Sequence, residues 1–574
     1  LQESAVASPA FPEPPPAVPA TSIADCDAAV AGLVAHKDSW VALGVPERID
    51  LLKACLATTL DAGPAWVAEA CKAKGIPVDH PSAGEEWLGG PMTTARNLRL
   101  FIEALEHGGQ PTPPKTWTRS DGQQVAQVFP CNLQDKALFT GFVGEVWIEP
   151  GKPMSQGEIY RRKAAGEPSE GKVSLVLGAG NVASIGPMDA LYKLFVEDEV
   201  VICKSNPVNA YLGPHWEASL KPLVDAGVLA VVHGGAAVGA HLCHHPDVAT
   251  IHMTGSDKTH DIILWGTSPD EQERRKAANE PLLDKPISSE LGCVTPVMIV
   301  PGQWSAKELD FVSRHVAAMV TNNASFNCNA AKILVVASGW AQKDEFLLKV
   351  REALGMIPSR KAYYPGAQSR YQGFLDQYPQ ARKLSNEGDD VVPWTVLPDV
   401  PATHGEYALT NEAFCGVLAE VALDADDAES FMAEATRFAN DDCWGTLSCS
   451  VMIDPRTERA HKASLEQMIA GLRYGGVGVN LWAGVIYGLV STTWGAFPGH
   501  PLTDIRSGRG VVHNSFFFDH PQKSVLRAPF FIAPKPVWFS DHANQADVGK
   551  RMLAYEAEPS WFKVPGIAMA AFKG

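Results

Sequence analysis

Val173-Ser174-Leu175-Val176-Leu177 and Val200-Val201-Ile202-Cys203-Lys204 are short, almost wholly apolar runs. A Gly178-Ala179-Gly180-Asn181 turn and an apolar helical segment from Pro187 to Val196 separate them. Strands apolar on both faces need cover on both faces, and two such strands joined by a helix run parallel. The theme continues with a helix near Leu212 to Ala226, a strand at Leu229 to His233, a Gly234-Gly235 turn, a short helix, and a strand Ala249 to Met253 that ends in Thr254-Gly255-Ser256. Such a sheet binds ligands beyond the carboxyl ends of its strands, where Asn181, Lys204, Gly235 and Gly255 fall. The pattern recurs after Glu290, with strands expected at Thr295 to Val300, Lys332 to Ala337, Gly416 to Val421, Cys449 to Ile453 and Val477 to Asn480. The fold class is therefore α/β, with two parallel-sheet domains.

The remainder is read from punctuation and composition. Residues 8 to 20 are too proline-rich for helix or sheet and are expected to form an extended arm. Helices are expected through Val30, Leu33 and Val34, capped by Asp25 or Asp27, and over Pro46 to Ala62 and Met92 to Leu105. Gln123 to Trp147 alternates like strands that leave the domain as an arm. With 574 residues, 46% hydrophobic, the chain can bury large cores. The formal net charge of −17, with no basic run longer than Arg161-Arg162-Lys163, argues against nucleic acid. No stretch reads as a spanning helix, so no membrane partner is expected. The eleven cysteines are scattered without a C-x-x-C pair, which fits a reducing compartment, and a cytoplasmic location is expected. His241, Cys243, His244 and His245 cluster, but no second group completes a tetrahedral set, and no metal is expected.

Cys328 stands in Ser325-Phe326-Asn327-Cys328-Asn329, thirty-eight positions after Glu290 in Ser288-Ser289-Glu290-Leu291-Gly292. A helical stripe at Leu309, Val312, Val316 and Val320 ends where Asn322 begins a small polar loop, so the sulfur belongs to a loop and not a core. A thiol and a carboxylate in two such settings suggest a nucleophile and a base.

These motifs, in this order, resemble the aldehyde dehydrogenase superfamily over about residues 30 to 500. The strand-loop asparagine matches Asn181, and the cofactor lysine, twenty-three positions on, matches Lys204. Thr254-Gly255-Ser256 matches the T-G-S turn, Glu290-Leu291-Gly292 the general-base E-L-G, and Asn327-Cys328 the nucleophile. Asn411-Glu412-Ala413-Phe414 resembles the E-x-F segment, and Phe438-Ala439-Asn440-Asp441 with Gly445 and Leu447 a further signature. The resemblance implies a Rossmann-type cofactor domain, a catalytic domain and an oligomerisation arm. It also implies Cys328, Glu290 and Asn181 as catalytic residues. The cofactor set it implies is Lys204, Gly235, Gly255, Ser256, Leu291, Glu412 and Phe414, with Lys204 and Glu412 on ribose hydroxyls and Phe414 beside the nicotinamide. The domains are then 1–24, a proline-rich arm; 25–289, cofactor binding, with 123–160 contributing to an arm; 290–500, catalytic; and 501–574, an oligomerising or covering extension. The implied reaction is oxidation of an aldehyde to an acid with NAD or NADP, NAD somewhat ahead, in a homo-oligomer.

Departures from the pattern sharpen the expectations. His260 holds a position where a second glycine is common, which puts close approach of that helix to a pyrophosphate in doubt. Pro207 stands where many NAD-preferring relatives have a glutamate, and Trp265 to Lys285 reads as a charged surface excursion. Cys415 is expected to be an inert thiol. Asn514-Ser515-Phe516-Phe517-Phe518 and Ala528-Pro529-Phe530-Phe531-Ile532 read as apolar strands that must cover a partner subunit or the chain itself. Trp482, Trp494 and Phe497 are candidates to line a tunnel for an apolar or aromatic aldehyde. The alternatives are a coenzyme A-dependent acylating dehydrogenase or acyl-CoA reductase, and a binding or scaffold homologue without turnover.

Overall fold

Parallel pairing brings the carboxyl ends of five strands to one edge of the smaller sheet. In the computed structural model, which describes residues 18–574, this sheet has six strands. Their order is Gly508–Arg509, Ile287–Leu291, Val248–Gly255, Val173–Leu177, Val200–Lys204 and Leu229–Val232. All pairs are parallel except the first. Leu177 lies opposite Lys204, and Thr254 opposite Glu290, so the register sets the T-G-S turn beside the E-L-G segment. Val173, Leu175, Val176 and the whole of Val200–Lys204 are buried, as strands covered on both faces must be.

The larger sheet has eleven strands. Its parallel centre runs in the order Pro521–Arg527, Gly476–Val479, Ser448–Met452, Thr295–Ile299, Ala331–Ala337, Val417–Leu423 and Thr395–Leu397. The antiparallel strands Lys115–Thr118, Gln124–Phe129 and Val143–Ile148 extend one side through Pro521–Arg527. Arg382–Lys383 closes the other.

Several boundaries differ from expectation. The first seventeen residues, with most of the expected proline-rich arm, lie outside the described residues. The first helix, Ile23–Ala42, starts inside the range assigned to that arm, and Ser22 rather than Asp25 or Asp27 caps it. A continuous helix, Val45–Lys74, replaces the shorter one expected from Pro46, and it carries Pro64 within it. The helix expected over Leu212 to Ala226 is three short pieces, Pro207–Leu212, Gly213–Ser219 and Lys221–Asp225, because Pro214 and Pro222 cannot donate within a continuous helix. Glu290 belongs to the smaller sheet; the chain leaves that sheet after Leu291 and returns to it at Gly508. The excursion after Trp265 holds an exposed helix, Pro269–Ala278, although Trp265 itself is buried.

The C-terminal segment is also arranged differently. Asn514 to Phe518 is no strand, yet Phe516, Phe517 and Phe518 are buried within this same chain. The strand is Pro521–Arg527, paired on both sides by this chain, so the apolar run needs no second subunit to cover it. The last two helices, Gln545–Ala557 and Val564–Phe572, pack together, and the first of them rests on Val45–Lys74, Ala83–Trp87 and Thr93–Glu106. Two glycines permit this contact: a β-carbon on Gly84 would collide with the Gln545 backbone, and one on Gly549 with the Trp87 side chain. Glu556 anchors the docking electrostatically. Its carboxylate accepts from Arg96 Nη1 and Arg99 Nε, each at 2.8 Å. Burial alone would raise its pKa, but Arg99 and Arg96 together hold it below the usual carboxylate range. Gly84→Val should therefore loosen the C-terminal helices and lower stability by about 1–3 kcal/mol, read as a shift in the urea midpoint, whereas Gly32→Val, at an open, exposed position of the first helix, is the control for valine itself.

Candidate active site

The helix Ala306–Thr321, begun by a Ser305–Glu308 capping box, ends in a loop bearing three consecutive left-handed non-glycine residues. Asn323, Ala324 and Ser325 have φ of 52°, 53° and 70°. Such conformations cost about 1–3 kcal/mol each for residues with a β-carbon, and surrounding contacts must hold them. Lys74, at the end of its long helix, supplies much of that hold. Its buried Nζ donates to Glu86 Oε1 (2.8 Å), Asn323 Oδ1 (3.0 Å) and the Asn181 carbonyl (3.2 Å). The Tyr363 hydroxyl lies 2.9 Å from the same Asn323 Oδ1 and 3.0 Å from the Asn181 oxygen, and its single proton is donated to one of the two. Lys332, a lone cation in the apolar strand Ala331–Ala337, donates to the carbonyls of Asn327 (2.9 Å) and Ala330 (3.0 Å). The loop is thus pinned on both sides of Cys328.

Cys328 is partly buried and interacts with the Glu290 carboxyl. Trp494 Nε1 donates to Glu290 Oε1 at 3.2 Å and fixes the carboxyl. Burial pushes Glu290 up to about 8, despite the hydrogen bonds from Cys328 and Trp494 that work against it. Burial first, and then Glu290 and Glu412, raise the Cys328 thiol well above its ordinary value. Each of the two groups therefore keeps its own proton at neutral pH.

A cavity of about 1360 Å³ opens onto this pair. Lys204, Gly235, Gly255, Ser256, Glu412 and Phe414 line it together with Asn181, Glu290 and Cys328. Leu291 does not: its side chain is buried against Met253 and Ile505. Lys204 is desolvated to a pKa of about 8, and its one hydrogen bond is to the Ser205 carbonyl at 3.2 Å, which leaves ammonium protons for hydroxyl oxygens. The helix Asp257–Trp265 begins at the rim, capped by the Ser256 hydroxyl. His260 is fully buried and absent from the lining, so its imidazole does not obstruct that helix start as its position suggested. A desolvated lysine, the start of the helix Asp257–Trp265 at the rim and open space around Gly235 form a set suited to ribose and pyrophosphate oxygens, and the site fits a nicotinamide dinucleotide.

Two other predicted residues are engaged by the chain itself. Glu412 folds over Gly292, where its Oε1 accepts the Cys293 N–H (3.3 Å) and sits 3.6 Å from Lys332 Nζ. Asn181 Nδ2 donates to the Phe326 carbonyl at 3.0 Å; the second N–H of that amide has no acceptor among the described residues. Phe414 lies edge-on to Tyr364, and Arg370 holds the carbonyls of Ala413 and Phe414. Cys415 is buried, and burial pushes its thiol up to about 12. Trp482 lines a second cavity, Trp494 serves Glu290, and Phe497 lies against Lys523, lining neither cavity.

Sequence reasoning missed the Lys74–Glu86–Tyr363 group, because nothing in its local pattern points to a loop 249 residues away. Lys332 was readable, as a cation in an otherwise apolar strand four residues after Cys328. In the histidine cluster, Asp27 joins His241 and His245 while Cys243 is buried elsewhere. His241 Nε2 is 2.6 Å from Asp27 Oδ1. His245 Nδ1 accepts the Asp247 N–H, which makes Nε2 its protonated nitrogen and a donor toward Asp27 rather than a metal ligand.

Two α/β sheets thus meet at a cysteine–glutamate pair beside a cavity large enough for a dinucleotide. Residues 208–367 match the model of the aldehyde dehydrogenase family. The fold is shared with the NADP-dependent glyceraldehyde-3-phosphate dehydrogenase of Bacillus halodurans in complex with NADP, at 17% identity and a TM-score of 0.58, over 89% of this chain and 92% of that one. The Mycobacterium tuberculosis aldehyde dehydrogenase in complex with NAD+ is similar at 18% identity and a TM-score of 0.59, over 90% and 92%. The NAD-dependent aldehyde dehydrogenase of Sinorhizobium meliloti gives 18% and 0.58, over 90% and 89%. The chain thus has the fold of these dehydrogenases, and residues 208–367 carry the family match.

Removing Lys74 tests the loop support directly. Lys74→Met strands the buried Glu86 carboxylate and should cost about 3–5 kcal/mol, measured by urea unfolding, with much of the loss recovered in the Lys74→Met/Glu86→Leu double variant.

Proposed function

We propose that the protein oxidises an aldehyde to a carboxylic acid with NAD or NADP, using Cys328 as nucleophile and Glu290 as base. The observation that carries this reading is the contact of Cys328 with Glu290 at the mouth of the cavity that Lys204, Gly255 and Ser256 line. The Cys328 sulfur adds to the aldehyde carbon as its proton passes to solvent through the cavity, and the resulting thiohemiacetal oxygen is stabilised by the free N–H of Asn181. Bound in that cavity, the nicotinamide supplies the hydride acceptor that oxidation of this adduct requires. Glu290, held by Trp494, then accepts a proton from water attacking the Cys328 thioester, and the acid leaves as the thiol is restored. In this scheme Glu412 gives up its contact with the Cys293 N–H to reach a ribose hydroxyl. Pro207 at the rim opposes neither cofactor, and NAD is placed somewhat ahead of NADP.

The second reading, in which coenzyme A accepts the acyl group, requires no base at this position; Glu290, buried and directed at the thiol, favours water. A scaffold without turnover would have no use for a cysteine–glutamate pair held on both sides. We also propose a cytoplasmic location. For the homo-oligomer, the strand Pro521–Arg527 is already paired on both sides, so an interface must use other surfaces.

Cofactor reduction by the purified protein with aldehydes, with and without coenzyme A, tests the reading; turnover without coenzyme A is expected, and turnover only in its presence would replace water with the thiol acceptor. Cys328→Ala should abolish reduction, and an unchanged rate would refute the assignment. Glu290→Gln should retain a first burst of reduced cofactor and lose steady turnover by roughly a hundredfold to ten-thousandfold. Because the base must be ionised and burial lifts Glu290 to about 8, hydrolysis should rise as pH passes through 8 and level off above it, and Glu290→Gln should lose that dependence.

A further inference from the structure

The second cavity, of about 440 Å³, shares Asn181 with the first and reaches Asn327 and Asn329, the two neighbours of Cys328. Its near wall is Trp482, whose indole N–H is taken by the Asn329 carbonyl at 2.8 Å, so the ring presents carbon to the space. Its far wall comes from the last residues of the chain: Ile532, Trp538, Val548, Met552, Ile567 and Phe572. Trp538 likewise spends its N–H, on His315 Nε2 at 2.9 Å. Every cation lining the space already has a carboxylate. Arg96 is on Glu556 at 2.8 Å, Lys74 on Glu86 at 2.8 Å, and Lys535 is 3.4 Å from Asp541. A phosphate or carboxylate entering here would have to break one of these pairs, two of them buried, whereas an alkyl chain would displace water from carbon surface.

We infer that the C-terminal segment from Ile532 to Phe572 is the acyl-chain wall of the substrate site, and that the substrate is a long apolar aldehyde and not a phosphorylated or sugar aldehyde. The inference rests on the aldehyde-oxidising reading above. The head of such a molecule sits at Cys328 while its tail lies along Met552 and Ile567 toward Phe572, which is 73% exposed at the rim. The docking of the last helices through Gly84, Gly549 and Glu556 thereby becomes part of substrate recognition.

The test compares kcat/KM for propanal, dodecanal and glyceraldehyde 3-phosphate in the full chain. Dodecanal should exceed propanal at least tenfold, with glyceraldehyde 3-phosphate below both. Met552→Trp, which fills the cavity, should lower the dodecanal-to-propanal ratio at least tenfold. Phe572→Glu, at an exposed position that tolerates charge in the fold, should lower the same ratio severalfold. A ratio unmoved in Phe572→Glu and in folded Met552→Trp, or preference for the phosphorylated aldehyde, overturns the inference while leaving aldehyde oxidation intact. Dodecanol binding to Cys328→Ala, followed by tryptophan fluorescence, separates the two levels. Saturable binding that Met552→Trp weakens at least tenfold supports the cavity assignment even where no aldehyde is oxidised. Absence of binding together with absence of turnover overturns both.

Discussion

A lysine ammonium buried at the end of a long helix holds the candidate active site in shape. Lys74 bonds at once to a carboxylate, to the side chain of a left-handed asparagine and to the carbonyl of Asn181. Each contact belongs to a different part of the chain, so one cation ties the helical layer, the smaller sheet and the nucleophile loop together. The strain of three left-handed residues before Cys328 is tolerable only because such contacts over-determine the loop. The cost of desolvating the ammonium is offset by Glu86 and by hydrogen bonds that leave none of its protons idle.

The two sheets contribute different things to the pair they bring together. The smaller one delivers Glu290 on a strand whose register with Val248–Gly255 is fixed by parallel pairing, so the carboxyl cannot shift without moving the T-G-S turn. The larger one delivers Cys328 from a loop just before a fully buried strand. The cysteine–glutamate pair therefore sits at the seam between the two sheets, where burial raises Glu290 toward 8.

Parallel strands were legible because burial on both faces leaves continuous apolar runs, and Thr295–Ile299, Ala331–Ala337 and Ser448–Met452 fall within a residue of where those runs place them. That Cys328, Glu290, Lys204, Gly255 and Ser256 would come to one cavity was legible because short motifs encode short-range geometry. What escaped was long-range. Glu412 turned toward Gly292, Leu291 turned into the core and Lys74 reached across 249 residues because tertiary neighbours decide where a side chain goes. The helix expected around Leu212 broke because two prolines outweighed its apolar stripe. At the C-terminus, aromatic content suggested strands at 514–518 and 528–532, whereas the polar-interrupted Pro521–Arg527 between them took the sheet position.

That last strand also dictates an order of events during synthesis. Among the described residues Pro521–Arg527 is the one strand that joins the parallel part of the larger sheet to the strands within residues 115–148, and the ion pair from Arg527 to Glu145 spans 382 residues. Until the ribosome has released residue 527, the early strands have no partner on that side and the growing sheet has an open edge, the geometry that favours pairing with a neighbouring chain. Closure of so distant a contact is slow, and a nascent chain of this length is exposed throughout. Holding those edges apart from other chains is a task that falls to whatever receives the polypeptide as it emerges.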